Sequence, residues 1–293
     1  MNQFKNKIKI LIRNIKTFCK FFINNEIPKK SIYSSKVKIK TLKDLNEKSD
    51  RPKLILSSNY HRVLNSRFKE FSEMFSILQG FDILFFNHKD RDKYMKRHWE
   101  YHPIYDVYKK SAFHQMKSDI FRYCFLYQNG GYWLDFKSSV FFDINNLMNE
   151  SQETLLVCSS EKIDVSSDFL SENKLLDITK ESYINNWVLG SKKNSKFLKE
   201  LIENISIDYL QYIDKEYEYP KKAILELTGP FKLTKLFYQY LNKENNRLKE
   251  FSIIHESEFK LVYVSDHGRD FKIMDNVFRK HYSNIKNKKI LSI

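Results

Sequence analysis

The 293-residue chain carries 51 Lys and Arg against 36 Asp and Glu, a net charge of +15, and 42% of its residues are hydrophobic. That apolar content excludes an intrinsically disordered chain, and the length suits one large α/β domain with additions. Three cysteines, Cys19, Cys124 and Cys158, show no CxxC or Cys/His spacing, which excludes a disulfide framework and a structural zinc site and points to a reducing, cytoplasmic setting.

The charge is concentrated at one end. Residues 1–40 hold eleven Lys and Arg and one acidic residue, Glu26. The remainder has the modest charge of an ordinary enzyme, so no nucleic-acid partner is expected. Phe4, Ile8, Leu11, Ile12, Ile15, Phe18 and Phe22 recur at helical spacing, while Lys5, Lys9, Arg13, Lys16 and Lys20 fall largely on the other face. Two readings fit this basic amphipathic helix: it lies on an anionic membrane surface, or it packs on its own domain. The lysines and arginines interrupt any signal peptide, and no apolar run reaches the ~18 residues of a spanning helix, so none is expected to cross a membrane. Residues 1–50 therefore read as helix and connector, and 51–293 as one α/β domain.

Lys53–Ser57 reads as a buried first strand, residues 63–78 as a helix, and Phe81–Phe86 as a second strand. This strand–helix–strand order predicts a parallel, Rossmann-type sheet with flanking helices. Helices are expected over Arg91–Trp99 and Tyr105–Tyr127, the second stopped by Asn129-Gly130-Gly131, which tolerate positive φ. A strand at Tyr132–Leu134 then delivers Asp135 to its carboxyl end. Further on, strands are expected at 155–159, 184–190 and 262–264, and helices at 195–205 and 228–241. The aromatic run Tyr209–Tyr219 reads as the partly buried side of a helix or as a surface for stacking sugar rings.

Asp119 and Arg122, three apart on a helix, project from one face. The Gly-Gly turn brings a strand back across that helix, so Asp119, Arg122 and Asp135 should meet at the carboxyl edge of the sheet, where open α/β sheets bind ligands. Two carboxylates and a guanidinium suit a ribose, a diphosphate, and a metal or sugar hydroxyls. The bland alternatives, a surface ion pair and a turn aspartate, do not account for all of the residues in this order.

The segment SDIFRYCFLYQNGGYWLDFK resembles the DXD region of the Och1-like and capsular-polysaccharide glycosyltransferases, family 32. That resemblance implies a GT-A-like fold and binding of a nucleotide-sugar donor, with Asp119, Arg122, Tyr123 and Trp133 around the donor and Asp135 as the first Asp of the motif. Softer matches point to Asn185 or Asn186 before a Lys-containing helix, to the turn Thr228-Gly229-Pro230, and to His281 as a C-terminal metal ligand. The second Asp of the motif is Lys137 here, and a protonated Lys repels Mn²⁺ or Mg²⁺. Three arrangements follow: a metal held without it by Asp135 and a C-terminal His or Asp, such as His281 or the Asp266-His267 pair, a diphosphate neutralised by Lys137 with no metal, or a degenerate site.

By the same resemblance, the activity is a retaining transfer of a hexose from a UDP- or GDP-sugar to a saccharide or lipid-linked acceptor, in surface polysaccharide assembly at the inner leaflet. The alternative is a catalytically inactive, transferase-like protein that binds glycan or nucleotide.

Overall fold

The computed structural model of the chain describes residues 39–40, 45, 53–57, 81–135, 147–158, 184–243, 247–255 and 285–292. The amphipathic segment 4–23, the helix expected at 63–78, the strand expected at 262–264, and Lys137, Asp266, His267 and His281 lie outside the described residues.

In chain order the elements are β1 (Ile39–Lys40), β2 (Lys53–Ser57), β3 (Asp82–Phe86), α1 (His88–Trp99), α2 (Pro103–Lys110), α3 (His114–Asn129) and β4 (Gly131–Asp135). There follow β5 (Thr154–Cys158), β6 (Ile184–Ser191), α4 (Lys196–Asp208), β7 (Glu216–Tyr217), α5 (Pro220–Leu227), α6 (Pro230–Lys243), β8 (Phe251–His255) and β9 (Lys288–Lys289). Seven strands form one sheet in the order β1-β3-β2-β4-β6-β5-β8, and β7 pairs with β9 apart from it.

The expected parallel pairing holds for β2 and β3, with Leu54 opposite Ile83, and for β2 and β4, with Ser57 opposite Asp135. It fails at β6, which runs antiparallel to both β4 and β5. The architecture is therefore α/β with a mixed sheet and flanking helices. Strand–helix–strand periodicity reports crossovers between parallel strands and is silent on a reversed strand inserted later in the chain.

The helix expected over Tyr105–Tyr127 is two helices, broken at Ser111–Phe113. Ser111 is extended, with φ −61° and ψ 119°. Its hydroxyl donates to the Val107 carbonyl at 2.7 Å. The break is held from the far end of the sequence: Ala112 N donates to Ile290 O at 2.9 Å and Ser292 N to Lys110 O at 3.2 Å. Ile290 and Leu291 are fully buried there. The aromatic run is not one helical face either, since α4 ends in a 3₁₀ turn at Tyr209–Gln211 and β7 follows.

The core lies between the sheet and α1, α3, α4 and α6. Phe86, Tyr94, Phe121 and Phe125 form one aromatic cluster, and Trp133 meets Phe121 edge-on at 6.0 Å. Phe197, Phe237, Tyr240 and Phe251 form a second. Ring pairs of this kind contribute about 0.5–1.5 kcal/mol each beyond area burial, which fixes the depth at which α3 lies on the sheet.

The expected helix stop is present. Gly130 takes φ +66° and Gly131 φ +107°, and Gly130 N closes α3 on Leu126 O at 2.8 Å. A Cβ on Gly130 would stand 3.0 Å from Lys193 N, so the turn is also pressed against the chain leaving β6. Its tightness is what returns β4 directly along α3.

Candidate functional site

Six of the seven sheet strands run one way, so the ends of β2, β3, β4 and β5 and the start of β6 share one edge. Asp135 is the last residue of β4. Asp119 and Arg122 sit in the middle turns of α3, whose C-terminal end connects through the Gly turn to the opposite edge. The three residues therefore meet where the sequence places them.

The contact is direct. One terminal nitrogen of Arg122 lies 3.1 Å from Asp119 Oδ1 and 3.3 Å from Asp135 Oδ1. The other donates to the backbone carbonyl of Asn186, and Nε faces the Ser118 carbonyl at 3.5 Å. Every nitrogen of the guanidinium is thus engaged within the protein, and its face rests on the Trp133 ring, with Cζ 4.7 Å from the centroid. Arg122 is a clamp that joins helix, strand and the start of β6.

Asp119 is enclosed from the remaining sides. Asn186 Nδ2 donates to its Oδ1 at 3.0 Å, and the Thr228 hydroxyl to its Oδ2 at 3.4 Å. Tyr123, fully buried one turn after Asp119, donates from its hydroxyl to Thr228 O at 2.9 Å. It accepts from Asn186 Nδ2 at 3.3 Å. The turn at Thr228-Gly229-Pro230 is forced close by Gly229, where a Cβ would come within 2.8 Å of Leu225 Cα.

Asp135 is the most open member, its side chain 27% exposed against 10% for Asp119 and 5% for Arg122. Trp133, two residues earlier and on the same side of the strand, donates from Nε1 to Asp135 Oδ1 at 2.9 Å. Both described partners of Asp135 therefore sit on Oδ1. Trp133 is itself buried, as is Tyr123, so both act through the residues they hold. Asn186 joins the cluster, and its neighbour on β6, Asn185, is buried.

Burial pushes the Asp119 carboxyl up to about 7; Arg122 opposes the rise, Asp135 adds to it, and the bonds from Thr228 and Asn186 oppose it. Burial works against the charged Arg122 guanidinium, but Asp135 and Asp119, with Tyr123, outweigh it and hold its pKa above the ordinary value. One cation facing two carboxylates accounts for both directions. Arg122 stays charged, and the deeper acid gains a proton most readily.

Among the described residues no three His, Cys, Asp or Glu side chains converge on a metal position. The described part of the site offers a divalent cation only Asp135, and a guanidinium already stands against its Oδ1. That donor set does not hold a metal by itself. Sequence reasoning marked the Thr228 turn only as a likeness and missed its contact with Asp119, which joins residues 109 positions apart. No described helix is long and apolar enough to cross a membrane.

No family model matches this sequence, and no curated protein matches it. Among solved structures, the chain is similar to one titled PaToxG Glycosyltransferase, with a TM-score of 0.42 and 11% identity over 80% of this chain and 79% of that one. A likeness that distant transfers no residue roles.

Proposed function

We propose that this chain is a GT-A-type glycosyltransferase that moves a hexose from a nucleotide-sugar donor to a saccharide or lipid-linked acceptor. One observation carries the reading. Asp119 of α3 and Asp135 of β4 are bridged by a single guanidinium at the carboxyl edge of the sheet. They do so within a segment ordered like the donor-binding region of family 32.

The cluster supplies what such a site needs. Asp135, fixed through Oδ1, keeps Oδ2 to accept sugar hydroxyls. A proton shared near neutrality by Asp119 leaves the trio close to charge balance, which eases the approach of a dianionic donor. Arg122, locked in place, presents its charge without reorganising during transfer. The resemblance adds retention of anomeric configuration and a place in surface polysaccharide assembly. The basic segment 4–23 supports attachment to the inner leaflet, with residues 51–293 as the catalytic domain. Lys137 and His281 stand as the residues that decide between a diphosphate neutralised by lysine and one neutralised by Mn²⁺ or Mg²⁺.

The test is release of nucleotide from a panel of UDP- and GDP-sugars, each with Mn²⁺ or EDTA. Asp135→Asn should lower turnover at least about 100-fold while leaving the melting temperature within a few degrees. No release from any donor, or equal release by the variant, would sink the reading.

A further inference from the structure

Arg91 is 3% exposed, and its Nε meets no hydrogen-bond partner. Among the described residues no carboxylate pairs with it. The acids nearby are committed elsewhere: Asp90 closes the capping box on Asn87, Asp92 accepts from the Tyr108 hydroxyl at 2.7 Å, and Asp119 is held by Arg122, Asn186 and Thr228. A buried guanidinium without an anion costs several kcal/mol. Such a group calls for a reason.

Its surroundings supply one. Arg91 lies in the first turns of α1, which leaves the carboxyl end of β3. His88, one turn before it, stacks on His114, the first residue of α3, with centroids 4.1 Å apart. Tyr94, one turn after it, meets Phe121 at 5.5 Å. The two helices therefore run side by side in the same direction, with both N-termini at the sheet edge that holds Asp135. Side chains lean toward the N-terminus of their helix, which directs Arg91 toward the first turn of α1. Burial works against its charge and lowers its pKa; the nearby Tyr108 and Asp92, and more weakly Asp119, favour the charge, while Arg122 opposes it. Lys89 and Lys117 flank the same two turns. The N-terminus of α3, which no side chain caps, and the first turn of α1, closed by its own capping box, thus lie beside a buried guanidinium whose Nε has no hydrogen-bond partner.

We propose that Arg91 and the first turns of α1 and α3 form a phosphate-binding subsite, and, resting on the transferase reading, that its occupant is the donor's diphosphate. Arg122, with each of its nitrogens already engaged, is then the clamp of the sugar side, and Arg91 is the cation of the phosphate side.

The experiment measures melting temperature and calorimetric binding of inorganic pyrophosphate, UDP and GDP, in EDTA at matched ionic strength, for the full chain and for Arg91→Met. Pyrophosphate should raise the melting point of the wild type, and a nucleoside diphosphate should raise it further. Arg91→Met should bind each at least roughly tenfold more weakly, while melting, without ligand, no lower than the wild type, because it removes an unpaired buried charge. Unchanged pyrophosphate binding by the variant overturns the subsite. So does a lower melting point with pyrophosphate affinity intact, which makes Arg91 structural.

If pyrophosphate binds through Arg91 but UDP and GDP bind no better, the subsite holds and the donor reading falls. If UDP or GDP binds equally to both proteins, the donor reading holds and the subsite falls. Hydrogen exchange of the wild type covers a variant that does not fold. Pyrophosphate should slow exchange at residues 88–91 and 114–117, and unaltered exchange there overturns the subsite.

Discussion

Trp133 Nε1 donates to Asp135 Oδ1 at 2.9 Å, from two residues back on the same strand. The ring that makes this bond also carries the Arg122 guanidinium on its face. Trp133→Phe keeps an aromatic surface under Arg122 and deletes the N–H. In donor hydrolysis, kcat should fall about tenfold with KM little changed, and stability should fall by about 1–2 kcal/mol in urea denaturation.

Arg122 neutralises two carboxylates at once, so removing it strands both. Arg122→Met should cost about 3–5 kcal/mol. Asp119→Asn removes one of the stranded acids, and the double variant should recover about 1–3 kcal/mol relative to the sum of the single changes. Urea titration of the four proteins measures the coupling. Strict additivity would show that the three groups do not act as one cluster.

Asp119 gives the fold a pH dependence of definite sign. Its carboxyl titrates near 7 in the folded chain, above the ordinary aspartate value of 3.8. Between those two values the folded state binds more proton than the unfolded one, so stability declines as pH rises through this window and is fully present below it. Asp119→Asn should flatten that decline, by an amount on the order of a few kcal/mol across the window. Denaturation midpoints at pH 4.5, 6 and 7.5, as chosen conditions, give the comparison as a difference of slopes.

Gly130 takes φ +66° with its Hα facing the backbone of Lys193. An alanine there meets both an unfavourable φ and a 3.0 Å contact. Gly130→Ala should destabilise by about 1–3 kcal/mol, more than a glycine-to-alanine change in open space, where the effect is often stabilising. Thermal melts of the variant test this without reference to activity.

The parts of this molecule that were legible in its sequence are those whose causes are local. β2 and β3 are short apolar runs, α1 is expected over Arg91–Trp99 and begins one turn earlier at His88, and α3 ends at the glycine pair. Asp119 and Arg122 share a helical face by spacing alone, and the turn after Asn129 returns Asp135 to them. What could not be read depends on distant partners. The α2–α3 break is imposed by Ile290 and Ser292, far along the chain. The reversal of β6 is set by neighbours on both sides, and the enclosure of Asp119 needs Asn186 and Thr228, at separations of 67 and 109 residues. Arg91 has an unremarkable place in a polar helical turn, and only its burial distinguishes it.

The reversed strand has a consequence for how such a protein can diversify. Cys158, the last residue of β5, is paired with Ile184, the first of β6, at the edge that bears Asp135 and Asn186. The 25 residues from 159 to 183 thereby begin and end at a single rung of that ladder. Changes of length between fixed moorings cost little closure entropy. Insertions and deletions in that stretch can therefore accumulate while the strands that build the site, and the clamp on Arg122, stay as they are.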